Sequence, residues 1–239
     1  MSNSSPIIQV AVNAPGWGHW TRILALVIHL PQIHFKVYHT LSHVPLPKWI
    51  NNVEVVSQLQ PHQPIVCEHG WESARPYGPN DFSHSLCIRK ISRRRPDLAG
   101  YDRLITVSDV DEAGDFPPVV LETKASERSY DSNVIVSSEK KNHQFLREKY
   151  PAYSHQVIYP ITVMRNSIKH LIGIAGYNLF WECAYYQIPC KLYPSTWLND
   201  SHRRLARLGK RALPAPFING APSVARTMLE WWTEVAKHV

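Results

Sequence analysis

Residues Leu171 to Pro194 read LIGIAGYNLFWECAYYQIPCKLYP, and this stretch sets the fold class. Leu171 to Ala175 is an apolar run too short for a globular helix and of the right length for a buried strand. Gly176 interrupts it, and a glycine lets the chain turn at positive φ without a Cβ clash. Asn178 is a good N-cap residue for a helix over Leu179 to Gln187, and Pro189 closes that helix before a second apolar run, Cys190 to Tyr193. Strand, glycine turn, helix and strand make one βαβ unit. Ligands of open α/β sheets bind at the carboxyl ends of the strands, so the Gly176 turn and the helix start, with Glu182 nearby, mark a candidate site.

The same alternation extends in both directions. Upstream, Ile7 to Val12 reads as a buried strand, followed by a Pro-Gly turn, the segment GWGHWTR (Gly16 to Arg22) and a helix reaching Leu30. Further strands are expected at Phe35 to His39, Val53 to Val56, Ile65 to Cys67 and Leu104 to Val107. Gln60 to Ser85 carries Pro, His, Gly and aromatics without a helical period and reads as a long functional loop around the short Ile65 strand. Beyond the polar stretch after Glu122, strands are expected at Val134 to Val136, Val157 to Tyr159 and Leu171 to Ala175. Helices are expected at Lys140 to Lys149, Met164 to His170, Ser201 to Arg211 and, from a Ser cap, Ser223 to His238. The pattern predicts an α/β protein with two parallel, doubly wound Rossmann-like domains. The limits are 1–125 and 126–221, with the helix of 222–239 packing back on the first domain.

Bulk properties bound the partners. The 239 residues carry 26 Lys+Arg against 19 Asp+Glu, a net +7, which favours polyanions such as nucleic acid, an anionic membrane face or a phosphorylated substrate. Cys67, Cys87, Cys183 and Cys190 form no CxxC pair and read as reduced, buried thiols. The N-terminal segment lacks basic residues before its apolar run and does not read as a signal peptide. No run approaches the roughly 18 apolar residues of a membrane span. A soluble, cytoplasmic protein is expected.

Two segments now carry a resemblance. GWGHWTR after the first strand resembles the G-x-G-H-x-x-R signature of GT-B glycosyltransferases, the group that includes bacterial lipid II N-acetylglucosaminyltransferase and plant galactolipid synthase. GIAGYNLFWECAYYQIPCKLYP is similar to the donor-site motif of the same group, and NDSHRRLARLG lies where the group has an acidic-Gln pair and a helix ending in Gly. The resemblance implies two domains facing across a cleft and transfer of a sugar from a nucleotide diphosphate, UDP-linked by analogy, without a further cofactor. It implies His19 as general base and Glu182 as the carboxylate that holds the ribose hydroxyls. Gly16, Gly18, Gly176, Tyr177 and Asn178 match turns facing the donor, and Asp200 and Ser201 fall near the donor-sugar pair. The glycine-rich turn expected after the strand at Val134 is replaced by VIVSSEKK, where Ser137 would serve the phosphates. Asp109, closing LITVSD, joins the catalytic set as a loop residue near the acceptor.

The acceptor side rests on charge and aromatics. Arg93, Arg94 and Arg95, together with Arg203 and Arg204, form basic clusters suited to phosphate contacts, and Trp71 offers a stacking surface. Arg22 is placed with them and also orients the His19 loop. This points to a hydroxymethylated base in DNA, with a lipid-linked acceptor at an anionic membrane as the rival. A non-catalytic nucleotide-sugar-binding module and an epimerase are also compatible with these residues. Asp109-Val110-Asp111 spells D-x-D, but a divalent cation needs more ligands than that, so no metal is expected. GWGHW lacks the third glycine of a dinucleotide fingerprint, and HExxH is absent.

Overall fold

A computed structural model describes residues 6–13, 16–41, 43–68, 77–90, 100–110, 112–126, 132–136, 140–155, 159–195, 199–208 and 217–237. Two compact units are present, 1–121 with 219–239, and 122–218. No helix among the described residues is long and apolar enough to cross a membrane.

The first unit is built on strands β1 (Ile7–Val12), β2 (His34–His39), β3 (Val53–Val56), β4 (Ile65–Glu68), β5 (Ser85–Lys90) and β6 (Arg103–Val107). They form one sheet in the order β3-β2-β1-β4-β5-β6, and every pairing is parallel. That is the strand order of the doubly wound Rossmann sheet, in which the strand order reverses between β1 and β4. Helix α1 (Trp17–Val27) links β1 to β2 and packs against α5 (Ala221–Val235), which returns from the far end of the chain. Ala11 and Cys67 point to the opposite face, where Leu59 and Phe82 from the connecting loops cover them, with Tyr38 and Tyr77 packed alongside. Buried Gln9 holds the loop edge as a strand would. Its Oε1 accepts the Gln60 N–H at 2.6 Å and its Nε2 donates to the Gln60 carbonyl at 3.0 Å.

Alternation along the strands then decides what faces α1. With Ala11 on the loop face, Val12 lies on the helix face, and the register sets Val12 opposite His39 on one side and Glu68 on the other. The carboxyl-edge row His39–Val12–Glu68 therefore lies under the start of α1.

The second unit has β7 (Ser132–Val136), β8 (Ser154–His155), β9 (Ile168–Ile174) and β10 (Cys190–Tyr193) in the order β10-β9-β7-β8, again parallel. Helices α2 (Lys140–Lys149), α3 (Tyr177–Tyr186) and α4 (Asn199–Leu208) accompany it. Leu146 of α2 packs on Ile135 and Ile172 of the sheet.

Several local expectations change. Ser85–Lys90 is an interior strand, just beyond the expected loop of Gln60 to Ser85, where no element was expected. Ile168–His170 belongs to β9 rather than to a helix, because Ser132 of β7 pairs with Ile168, and a 3₁₀ turn over Ile161–Ser167 leads into it. Helix α3 starts on Gly176, not Asn178, and α5 on Gly220, not Ser223; neither has a side-chain cap. Gly176 has φ −63°, so the turn there needs no left-handed residue. Gly16, in the turn before α1, does adopt such a conformation, at φ 120°.

Candidate functional site

A polar cluster of the first unit lies at the β1–β4 switch point, and its parts come from segments far apart in sequence. Gly16 at φ 120° swings the chain off β1 so that α1 begins above the carboxyl edge. One turn later, His19 and Arg22 share a face of α1 and descend on Glu68, the last residue of β4. His19 Nδ1 lies 2.5 Å from Glu68 Oε2. Arg22 Nε donates to Glu68 Oε1 at 2.8 Å, and its Nη2 reaches the same oxygen. The Arg22 Nη2 is also 2.8 Å from His19 Nδ1.

Donor inventory assigns these contacts. Glu68 is ionised and can only accept, so the proton on His19 Nδ1 is directed at Oε2, and in the neutral ring Nε2 is the nitrogen left with a lone pair. Arg22 has no acceptor capacity, so its approach to Nδ1 is a charge contact beside that hydrogen bond. The Glu68 carboxylate is fully buried. Burial pushes its pKa up, but the charges of Arg22 and His19 and their hydrogen bonds more than offset this and bring it down to about 2. His19 keeps about a quarter of its side chain exposed, so the ring is fixed at one nitrogen and open at the other. A histidine oriented by a buried carboxylate is an arrangement suited to taking a proton from a substrate hydroxyl.

His39, across the row, is buried against the edge of Trp20, with ring centroids 6.0 Å apart. Burial first, and then the neighbouring His19, lower its pKa to about 4, against smaller upward effects from the Gly16 backbone and Glu68. It is a neutral imidazole across the working range. Trp20 itself is anchored through Nε1 to the Pro45 carbonyl at 2.7 Å.

In the second unit the carboxyl edge of β9 leads through Gly176 into α3. Glu182 is the sixth residue of α3, not a first-turn residue, and is 5 % exposed. Burial alone pushes its carboxyl up to about 7. Arg204 of α4 lies behind the turn: its Nη1 donates to the Ala175 carbonyl at 3.0 Å, and its guanidinium stands 5.7 Å from the Tyr177 ring centre.

No family model matches the chain, and no curated protein does either.

The expected site residues sort as follows. Gly16, Gly18, His19 and Arg22 come together with Glu68 and His39, and neither of the last two was anticipated. Arg22 is no acceptor-surface cation, because it is buried and its charge is engaged by Glu68. Asp109 does not join His19. It follows β6, two strand spacings (roughly 10 Å) from β4, and its Oδ2 lies 3.7 Å from Lys90 Nζ. Gly176, Tyr177, Asn178 and Glu182 do share the start and middle of α3. Ser201 is turned inward, its Oγ accepting the Ser195 N–H at 2.9 Å, and this removes it from any donor-sugar role. Asp200 is half-buried and lies 3.8 Å from Arg204. Arg204 is 1 % exposed and so cannot meet DNA phosphate, while Arg203 is half-buried. Trp71, Arg93, Arg94, Arg95 and Ser137 lie outside the described residues, as do residues 157 and 158 of one expected strand.

Proposed function

We propose that this chain is a glycosyltransferase of the GT-B kind, moving a sugar from a UDP-linked donor to an acceptor hydroxyl. The observation that carries the reading is the His19–Glu68–Arg22 constellation at the switch point of the first sheet. His19 Nε2 takes the proton of the acceptor hydroxyl, whose oxygen forms the bond to the anomeric carbon. The bond from that carbon to the phosphate oxygen breaks, and the nucleotide diphosphate leaves with the electron pair. Glu68 holds the ring in the required tautomer and stabilises the imidazolium that results, as a carboxylate does behind other histidine bases.

The second unit supplies the complementary support. Glu182 is a buried carboxylate whose charge is opposed by burial alone, and two ribose hydroxyls donating to it would relieve that cost. Helix α3 begins with no side-chain cap and no acidic residue in its first turn, so its positive dipole end suits a phosphate. The DNA reading loses Arg22 and Arg204, which are both engaged within their own units.

The test is release of UDP from UDP-glucose, UDP-galactose and UDP-N-acetylglucosamine by wild type and His19→Ala. Turnover is expected to fall about 10²- to 10⁴-fold in the variant, the contribution of a positioned general base. Equal nucleotide binding by both proteins, with no turnover of any donor by either, would instead mark a binding module.

A further inference from the structure

The second sheet ends in β10, and its α2 side carries an aromatic cluster with two lysines on it. Register places them there. Lys191 and Tyr193 lie opposite Ile172 and Ile174 of β9, and Ile172 is covered by Leu146 of α2. Alternation therefore sends Lys191 and Tyr193 to the α2 face, while Cys190 and Leu192 face the other way. From α2 come Phe145 and Lys149, one turn apart on the same stripe, and Tyr150 follows directly. The Tyr150 and Tyr193 hydroxyls hydrogen-bond each other, and their ring centres are 6.1 Å apart. Phe145 stands edge-on to Tyr193 at 5.8 Å and is 47 % exposed.

Both ammonium groups converge on Tyr193. Lys149 Nζ is 4.9 Å from its ring centre and 5.5 Å from that of Phe145. Lys191 Nζ is 5.8 Å from the ring centres of Tyr193 and Tyr150 and donates to both hydroxyls. No carboxylate pairs with either lysine among the described residues. Glu148, beside Lys149 in the chain, accepts instead from Gln144 at 3.0 Å. Two like charges held at one ring repel each other, and an anion set between them removes that cost.

The donor inventory adds to this. One phenol proton is spent on the other hydroxyl, and Lys191 spends two of its N–H groups on the same pair. One phenol O–H, one Lys191 N–H and the Lys149 N–H groups remain, all of them donors. Carboxylate and phosphate both satisfy such a set, and the open Phe145 ring beside it selects between them. A nucleotide offers a phosphate to the ammonium groups and a flat base to the ring. The net charge of +7 favours a polyanion built of many such units. A duplex keeps its bases stacked on one another, so only a single strand has a base to spare. We infer that Phe145, Lys149, Tyr150, Lys191 and Tyr193 form a binding surface for single-stranded nucleic acid, with phosphates on the lysines and a base against Phe145. None of these residues belongs to the candidate site of either unit.

The test is fluorescence anisotropy of a labelled oligothymidylate of about twelve nucleotides, within the length that one small platform holds, titrated with the full chain at several salt concentrations. Wild type is expected to bind, with affinity falling as salt rises. Lys149→Gln and Lys191→Gln should each flatten the slope of log K against log salt by about 0.7, the counterion release of one contact to a single strand. Phe145→Ala should weaken binding about fivefold or more and leave the slope as it is, because a stack carries no charge. All three side chains are exposed, so the variants are expected to fold, and circular dichroism checks this. Absence of binding by wild type overturns the surface. Binding that keeps its full salt slope in both lysine variants does the same, because the strand then lies elsewhere on this basic chain. Indifference to Phe145→Ala, or equal affinity for a duplex of the same length, removes the base contact and with it the single strand. Vesicles of phosphatidylglycerol are run in parallel, and vesicle binding without oligonucleotide binding overturns the inference in favour of a membrane.

Discussion

Glu68 and Glu182 are both carboxylates removed from water, and the two units treat them in opposite ways. Glu68 ends a strand and receives Arg22 and His19, so the cost of burial is overcome and its pKa lies at about 2. Glu182 sits mid-helix with burial unopposed, and its pKa rises to about 7. The first carboxylate is already satisfied by its own chain and acts by holding other groups in place. The second bears the cost of burial with nothing to offset it, so its carboxyl holds its proton to a higher pH.

The comparison breaks hardest at Glu68. Glu68→Ala leaves the Arg22 guanidinium buried without its counter-charge, and breaking such a pair costs about 3–5 kcal/mol. Urea unfolding followed by circular dichroism should show a loss of that size. A change below about 1 kcal/mol would mean that the pair does not organise the first unit.

A subtler test follows the pH dependence of the second unit. The folded pKa of Glu182 is raised, so its contribution to stability is complete below the unfolded value of 4.5 and is lost as pH rises through about 7. The loss amounts to roughly 3 kcal/mol, since a tenfold change in proton affinity is worth about 1.4 kcal/mol. Thermal unfolding between pH 5 and 8 should show this slope, and Glu182→Gln should flatten it. If UDP donates hydrogen bonds to the carboxylate, it should restore stability at pH 8 in wild type more than in the variant. Identical slopes in the two proteins would show that Glu182 is not the titrating group.

The smallest effect is expected at Gly16. No atom lies within 4 Å of where a Cβ would stand, yet φ 120° is a conformation that L side chains rarely adopt. Gly16→Ala should therefore cost about 1–3 kcal/mol of backbone strain. It should also shift α1 enough to lower turnover while leaving the Glu182 pH slope untouched. A variant as stable and active as wild type would show that the loop has another way onto the helix.

Much of the fold could be read directly, because the apolar runs of β1, β2, β3 and β9 are each bounded by turn residues. Where reading failed, tertiary pairing had overridden local pattern. Ser85–Lys90 ends in two cations and was assigned no element, but lies between β4 and β6 and is buried over most of its length. Ile168–His170 continues a helix-like segment in sequence and is drawn into β9 by β7. At the site, His19 was found from its glycine context, whereas Glu68 and His39 were not. They are 49 and 20 residues from His19, and only the parallel register brings them into one row. Arg204 misled for the converse reason. A helical run of arginines resembles a solvated face, and nothing local reveals that one of them turns inward to cap the Ala175 carbonyl.

Asn219 carries a last consequence. Its side chain accepts the Val120 N–H at 3.0 Å and donates to the Val120 carbonyl at 2.8 Å, while the Gly220 N–H bonds the Pro118 carbonyl. The chain thus leaves the first unit and re-enters it at adjacent points, and the whole of 122–218 is inserted between them. On the ribosome, the inserted unit is complete while the first sheet still lacks α5. The enclosed unit is free to fold first, and the enclosing one closes only when the last helix emerges.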